Sequence, residues 1–546
     1  MISTRSILRG GICAIALATA MASAPPARAQ SLEDLKRQLM QMQKRIDQLE
    51  AQQRRSQSAE APSRPTKSQA AQVAAAQKAA ADAQAAAAHA EAAAMAAQQQ
   101  TAQVKETAAA EVKAAFTAPP GKPAGSFRIP SLDTTVRLYG FAKANFMGDL
   151  TTRDRSDALT AQSIQLMNSA AQREGGDFQA SARRTRIGLE TWTPVNDEIG
   201  EFHSQFEMDF AGQNTSLTTQ ATSNGYTPRL RLGYADIGKA DGGWGNFMFG
   251  QNFSLFADGS LIPLQYVSDW TALAMTAVRQ TQLRYTYGFG NGFSIAAGVE
   301  SAYSDVTTTA GTSYPDSNGG GGVGWQNVPD FTARVMYRQP WATVALRGVY
   351  RPEIGLNNEG ATATSARFNK TVSGWAVGPT GNISLLNGTL NLMASGDVGY
   401  GIGRYEDATY AGFGAYSNYG LAGVTGANAQ MTAPLQYSGM LGLQYFFTPT
   451  IRTNMSIAGA RSINPSYTNY FGGCVSNAAA SGTCSTVNKS MIASAVNLIW
   501  SPIKAVDLGI EWQHLERTLQ NSYGTRTSNT NGGIANRIQF TAVGRF

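Results

Sequence analysis

The chain is poor in the residues that most chemistry needs. Its 546 residues include three cysteines and three histidines, and only 15% of positions are charged. Cys13 falls inside an N-terminal apolar run, which leaves Cys474 and Cys484 with nine residues between them. No histidine near that pair completes a metal-ligand set, so it reads as a small disulfide staple in a loop and not as a metal or redox centre. Closing so short a ring stabilises by about 2–3 kcal/mol at most on the chain-entropy estimate. His203 and His514 are the only histidines beyond residue 125, and no Ser/His/acid set is evident at either. That argues against a nucleophilic hydrolase. Beyond the N-terminal run, no window approaches 18 uninterrupted apolar residues, so no helix is predicted to cross a membrane. Basic runs interleaved with aromatics are missing as well, which sets nucleic acid aside as a partner.

Lysine is scarce where arginine is not. After residue 125 there are 24 arginines and five lysines. The formal charge of +7 falls to +4 without Arg5, Arg9 and Arg28, and residues 30–125 account for three of those four charges. The high pI therefore reflects the N-terminal part, and the rest of the chain is close to neutral.

Residues 1–29 have the pattern of a secretory signal. Arg5 and Arg9 form a positive start, Gly11 to Met21 an apolar core, and Ala27-Arg28-Ala29 a small-x-small cleavage site. From Leu32 the residues Leu35, Leu39, Met42, Ile46 and Leu49 follow at steps of three and four. This seam predicts a short coiled coil over 30–53, under three heptads long, that needs a partner helix held nearby. Residues 54–125 are an Ala/Gln-rich spacer with Pro62 and Pro65 at its start and Pro119, Pro120, Gly121 and Pro123 at its end. The composition fits a spacer helix or a partly disordered segment.

From Ser126 the hydrophobic period changes to two. Sixteen strands are predicted: 135–149, 181–193, 201–211, 227–238, 243–251, 280–289, 292–300, 331–339, 341–350, 370–380, 388–400, 434–447, 450–461, 488–501, 504–516 and 533–546. Connections alternate long, short, long, short. Short ones include Gly290-Asn291, Thr448-Pro449 and Pro502-Ile503, and long ones include 150–180, 252–279, 301–330, 401–433 and 462–487. A transmembrane barrel has this form, with an even strand count placing both ends on the side of the short turns. The last stretch agrees: Ile538, Phe540, Ala542, Gly544 and Phe546 alternate with Arg537, Gln539, Thr541, Val543 and Arg545. The expected fold is an all-β, sixteen-stranded antiparallel barrel over 126–546, with one greasy face and one wet face on every strand.

Parity then predicts what lines the lumen. A cation at mid-bilayer on the lipid face costs about 2–4 kcal/mol, so strand arginines should point inward. Ile187 and Leu189 outward leave Arg184 and Arg186 inside; Leu230, Leu232 and Tyr234 outward leave Arg229 and Arg231 inside. The same reasoning assigns Arg284, Arg334, Arg338, Arg347 and Arg452 to the lumen, with His203, Glu207, Asp209, Glu300, Asp397 and Glu511. Guanidinium grips planar oxyanions bidentately, so an arginine-lined constriction favours small anions. Segment 252–279 follows the fifth strand, and its Asp258, Asp269 and Arg279 are candidate constriction groups if it folds inward; an ordinary surface loop is the alternative. No cofactor is expected.

Several stretches resemble the DcaP-like porins: Val136-Arg137-Leu138-Tyr139-Gly140-Phe141, Arg186-Ile187-Gly188-Leu189-Glu190-Thr191, Arg229-Leu230-Arg231, Gly250-Gln251-Asn252-Phe253-Ser254 and Val278-Arg279-Gln280-Thr281-Gln282-Leu283-Arg284-Tyr285-Thr286. The resemblance covers 30–50 and about 126–546. It implies a homotrimeric outer-membrane channel with a periplasmic N-terminal coiled coil, taking up dicarboxylates and other small anions. Partners implied by that setting are the lipid bilayer and lipopolysaccharide, and peptidoglycan for the N-terminal extension. A structural tether or adhesin and a barrel enzyme are the competing classes. Ohmic, anion-biased current would distinguish the channel from both.

Overall fold

The computed structural model describes residues 67–115 and most of the chain from 118 to 546. Among residues 152–175, 213–225, 258–276, 407–413 and 472–486 only isolated positions are described, and before 67 only six. The signal sequence, the heptad seam, Asp258, Asp269 and the Cys474–Cys484 pair lie outside the described residues.

The chain divides into two units at Thr107/Ala108. In the spacer, Lys67–Ala115 forms one helix, α1, of 49 residues. Alanine and glutamine favour the helix, and almost every described side chain on it is solvent-exposed, Met95 and Val104 included.

The second unit is a closed antiparallel barrel of sixteen strands. In chain order these are β1 Thr134–Asp149, β2 Arg186–Asn196, β3 Gly200–Asp209, β4 Arg229–Lys239, β5 Gly245–Phe253, β6 Arg279–Gly288, β7 Phe293–Glu300 and β8 Asp330–Gln339. They continue as β9 Ala342–Asn357, β10 Asn369–Leu385, β11 Leu390–Tyr400, β12 Leu435–Thr448, β13 Ile451–Ile463, β14 Asn488–Ile503, β15 Val506–Thr525 and β16 Ser528–Arg545. Each strand pairs with the next, and β1 closes on β16 from Phe141↔Arg545 to Asp149↔Arg537. Closure leaves no unpaired edge, the condition for sheet to exist in lipid.

Each strand corresponds to one read from the sequence, with three differences. The second is broken: Asp177–Ser181 pairs with the upper end of β1, a turn follows, and β2 proper starts at Arg186. Strands β9 and β10 run on past the predicted ends, to Asn357 and to Leu385. The last long connection is a protruding hairpin, because β15 and β16 stay paired out to Thr525↔Ser528. Alternation ends where lipid ends, so the pattern cannot mark strand that continues into water.

The short turns use residues that tolerate a left-handed backbone. Between β10 and β11, Leu386, Asn387 and Gly388 all have positive φ, 51°, 54° and 88°. Near the short turns sit exposed aromatics, Trp244, Phe289, Trp341, Phe447 and Trp500. Toward the other rim, Tyr350, Trp375 and Tyr400 are directly cross-strand and also exposed. Two aromatic girdles bounding an apolar band are the outer signature of a membrane barrel. A concavity of about 1120 Å³ lies in this band among Val335, Leu346, Leu441 and Ile457. It opens among outward side chains and is not the solute path.

Candidate functional site: the lumen wall

On β3 the odd residues from His203 to Asp209 face the lumen, opposite their partners on β2 and β4. Arg186 lies across from Asp209, and Asp209 from Arg229. Arg229 grips Asp209 bidentately, Nε to Oδ1 at 3.0 Å and Nη2 to Oδ2 at 2.6 Å. Arg231 donates to Glu207 Oε1 at 2.7 Å and to Asp209 Oδ2 at 3.1 Å. The Arg186 guanidinium approaches Glu207 to 3.5 Å. Arg279 is within electrostatic reach of Arg186, Arg229, Arg231 and Asp209. The carboxylates are at the bottom of this cluster: Asp209 and Glu207 side chains are 1% and 7% exposed, while Arg229 and Arg186 are 32% and 26% exposed.

A bulge shapes the cluster. The register shifts between Glu207 and Met208, opposite Arg231, so Arg229 and Arg231 both reach the lumen. Beyond the shift, Leu232 and Tyr234 turn inward, which corrects the predicted outward placement: Leu232 is buried opposite Glu207, and the Tyr234 hydroxyl donates to Gln205 Oε1 at 2.7 Å. His203 bonds Asp236 at 2.8 Å and stacks on Trp192, so its polar atoms serve the wall. His514 has outward parity, stacked on Trp512.

The other predicted arginines fall in different places. Arg184 sits in the turn that breaks the second strand, not on a strand. Arg279, first residue of β6, has the parity of the outward Thr281 and Leu283, and its guanidinium lies 5.4 Å from the Phe253 ring centroid. Arg284 has lumen parity, holding Gln282 Oε1 and the Phe253 carbonyl. Arg334 and Arg347 are directly cross-strand on β8 and β9. Arg347 is fully buried, bonded to Asp397 Oδ1 at 2.8 Å, Ser395 and the Phe256 carbonyl.

Phe256 belongs to the segment after β5, so this contact shows that the root of the segment folds inward. Ser254, Leu255, Phe256 and Ala257 are all buried. Glu300 fixes them: its Oε1 accepts from Ser254 Oγ at 2.9 Å, Leu255 N at 3.1 Å and Thr332 Oγ1 at 2.8 Å. Its Oε2 accepts from Gln280 and from the Tyr405 hydroxyl at 3.2 Å. Further along, Val267 N donates to Glu511 Oε2 on β15, so the segment reaches the far wall. Of the predicted alternatives, the inward course is the one its described residues take.

Sequence reasoning missed the neighbours of Glu300 because they lie in connections or, like Arg351 and Asp330, just past the predicted strand ends. Arg351 binds Asp305 Oδ1 at 2.5 Å and the carbonyls of Tyr303, Gly401 and Ile402. Tyr405 also donates to Asp330 Oδ2 at 3.0 Å. Burial, then Glu300 and Asp330 beside it, hold the Tyr405 hydroxyl well above its usual range and hence protonated. The sequence did contain one signal: Arg351 continues the lumen parity of Arg347 by two steps of two.

The barrel, its apolar belt and its polar interior now stand together. Residues 123–531 match the family described as the porin subfamily. The chain belongs to that subfamily. This porin is an outer-membrane channel. Its fold is similar to that of the outer membrane channel DcaP of Acinetobacter baumannii, at 20% identity over 77% of this chain and 99% of that one, with a TM-score of 0.54. Less close are OmpT of Vibrio cholerae, at 11% identity over 76% of this chain and 98% of that one with a TM-score of 0.44, and OprB of Pseudomonas putida, at 11% over 75% and 94% with the same score. No curated protein matches the sequence.

Proposed function

We propose that this porin is a passive diffusion channel for small anionic solutes, dicarboxylates among them, and that the β2–β6 cluster is where it selects them. The observation carrying this reading is the layering of charge. Three guanidiniums share two carboxylates; both carboxylates and Arg231 are buried, while Arg229 and Arg186 keep partly exposed edges. A solute in the lumen therefore meets cation edges although the nearby charges almost cancel. Arginine presents paired N–H donors that match carboxylate geometry, and a water-filled passage lets the ion keep part of its hydration while it exchanges between them. Arg284 and Arg334 extend the cationic side along the same wall.

The proposal includes the setting. Residues 1–29 are removed on export, 30–53 form a coiled coil that holds a homotrimer together, and 54–125 are a periplasmic spacer toward peptidoglycan, with lipopolysaccharide around the outer rim. A helix of α1's length spans about 70 Å at 1.5 Å per residue, enough for such a spacer. The test is the zero-current potential of purified protein in a planar bilayer under a salt gradient, repeated with succinate as the permeant ion. Anion preference in both supports the reading. A cation-selective or non-conducting protein ends it, and absence of conductance would turn attention to a tether.

A further inference from the structure

A water-filled lumen should be polar all round, yet among polar groups such as Glu511, Gln513 and Arg537 one patch of this wall is not. At lumen parity β11 to β16 carry Met393, Met440, Ala458, Ala460, Met491, Ala493, Ala495, Leu515 and Ala535, which form one buried cluster. Two residues of the first long connection complete it, Leu159 and Ile164, with 0% and 1% exposure. The connection is tied to the inside of β16. Leu150 N donates to Asn536 O at 2.8 Å and Met167 N to Gly532 O at 3.0 Å. A Cβ on Gly533 would overlap the Gln165 carbonyl and press on Ile164, so glycine is needed for the chain to lie this close.

Small residues and methionines on the wall and branched residues on the loop are complementary in shape and hydrophobicity. Uncovered, that wall would offer water a contiguous apolar surface. We infer that Leu159 and Ile164 set the bore of this channel: seated against the apolar patch of β11–β16, they take that part of the lumen out of the solute path. This deepens the channel reading and rests on it. The inward segment after β5 then narrows the passage further.

The test is Leu159→Asp with Ile164→Asp in the full-length chain, and separately Ala493→Glu, which disturbs the same contact from the wall. Neither loop substitution touches a barrel strand, and an unheated-gel mobility shift confirms that the barrel has formed. Both variants should raise single-channel conductance roughly twofold, because conductance follows pore cross-section. Unchanged conductance in the loop variant with a formed barrel overturns the inference. Wild-type reversal potential separates the two ideas: a cation-preferring wild type defeats the anion reading, yet a conductance rise in the variants would still place the bore at Leu159 and Ile164.

Discussion

Replacing Arg231 by glutamine removes one of the three guanidiniums that share Glu207 and Asp209. Asp209 keeps its bidentate bond to Arg229, and Glu207 keeps the 3.5 Å approach of Arg186, so neither carboxylate is left alone. The local sum falls by one unit of charge. For a monovalent anion passing about 6 Å away, that unit is worth about 0.7 kcal/mol in a water-like dielectric and about 2.8 kcal/mol at an effective dielectric of 20. A Debye length of about 10 Å at 0.1 M salt trims the lower figure without erasing it. The local anion concentration should therefore drop about twofold or more, since each 1.4 kcal/mol is tenfold. The zero-current potential under a tenfold KCl gradient should move toward the cation side. Arg231→Lys keeps the charge and should move it less, while Glu207→Gln should move it the other way. If Arg231→Gln and Arg186→Gln both leave the potential where it was, the cluster is structural and selection lies elsewhere.

Other parts of the lumen make separate predictions. Arg347→Met strands the fully buried Asp397 and should destabilise the barrel by about 3–5 kcal/mol, with Arg347→Met/Asp397→Leu recovering most of it; the urea midpoint of refolded protein in liposomes reads both. Leu441, 65% exposed on the outward face of β12, should cost about 2–4 kcal/mol as arginine in the same assay. Glu300→Gln replaces one acceptor oxygen with a donor amide among groups that already donate, at about 1.5–3 kcal/mol for each lost bond to the charge. It should loosen Ser254–Ala257, seen as greater open-channel current noise; a steady wild-type-like trace would refute the anchoring role.

Strand number and sidedness were legible because lipid imposes a rule on every second residue. Leu189 beside Glu190, or Phe540 beside Gln539, leaves no choice of face once the strand period is accepted. Turns such as Gly290-Asn291 were legible for an equally local reason, the backbone freedom they supply. The bulge at Arg231 was not, since the residues around it alternate as a regular strand would, and only the partner β3 shows the extra residue. Nor could a period in the wall predict that Phe256 and Ile164 would return inside it. Even so, Met393, Met440, Met491 and Leu515 at lumen parity conflict with a uniformly wet interior. Followed through, that conflict asks for an apolar cover from within the chain.

The two walls assign different work to the same barrel. Between β2 and β4 the polar groups satisfy each other in layers, Asp209 and Glu207 beneath and the partly exposed Arg186 and Arg229 above, at small net charge. Between β11 and β16 a patch of methionine and alanine is buried against Leu159 and Ile164, on strands that also carry Arg452, Glu511 and Arg537. Narrowing the passage with an apolar patch would bring each passing solute within a few ångströms of the guanidiniums that keep exposed edges, Arg186 and Arg229, the distance over which Coulomb attraction exceeds screening. On the proposed reading, selectivity depends on the apolar patch of the interior as well as on the charged cluster.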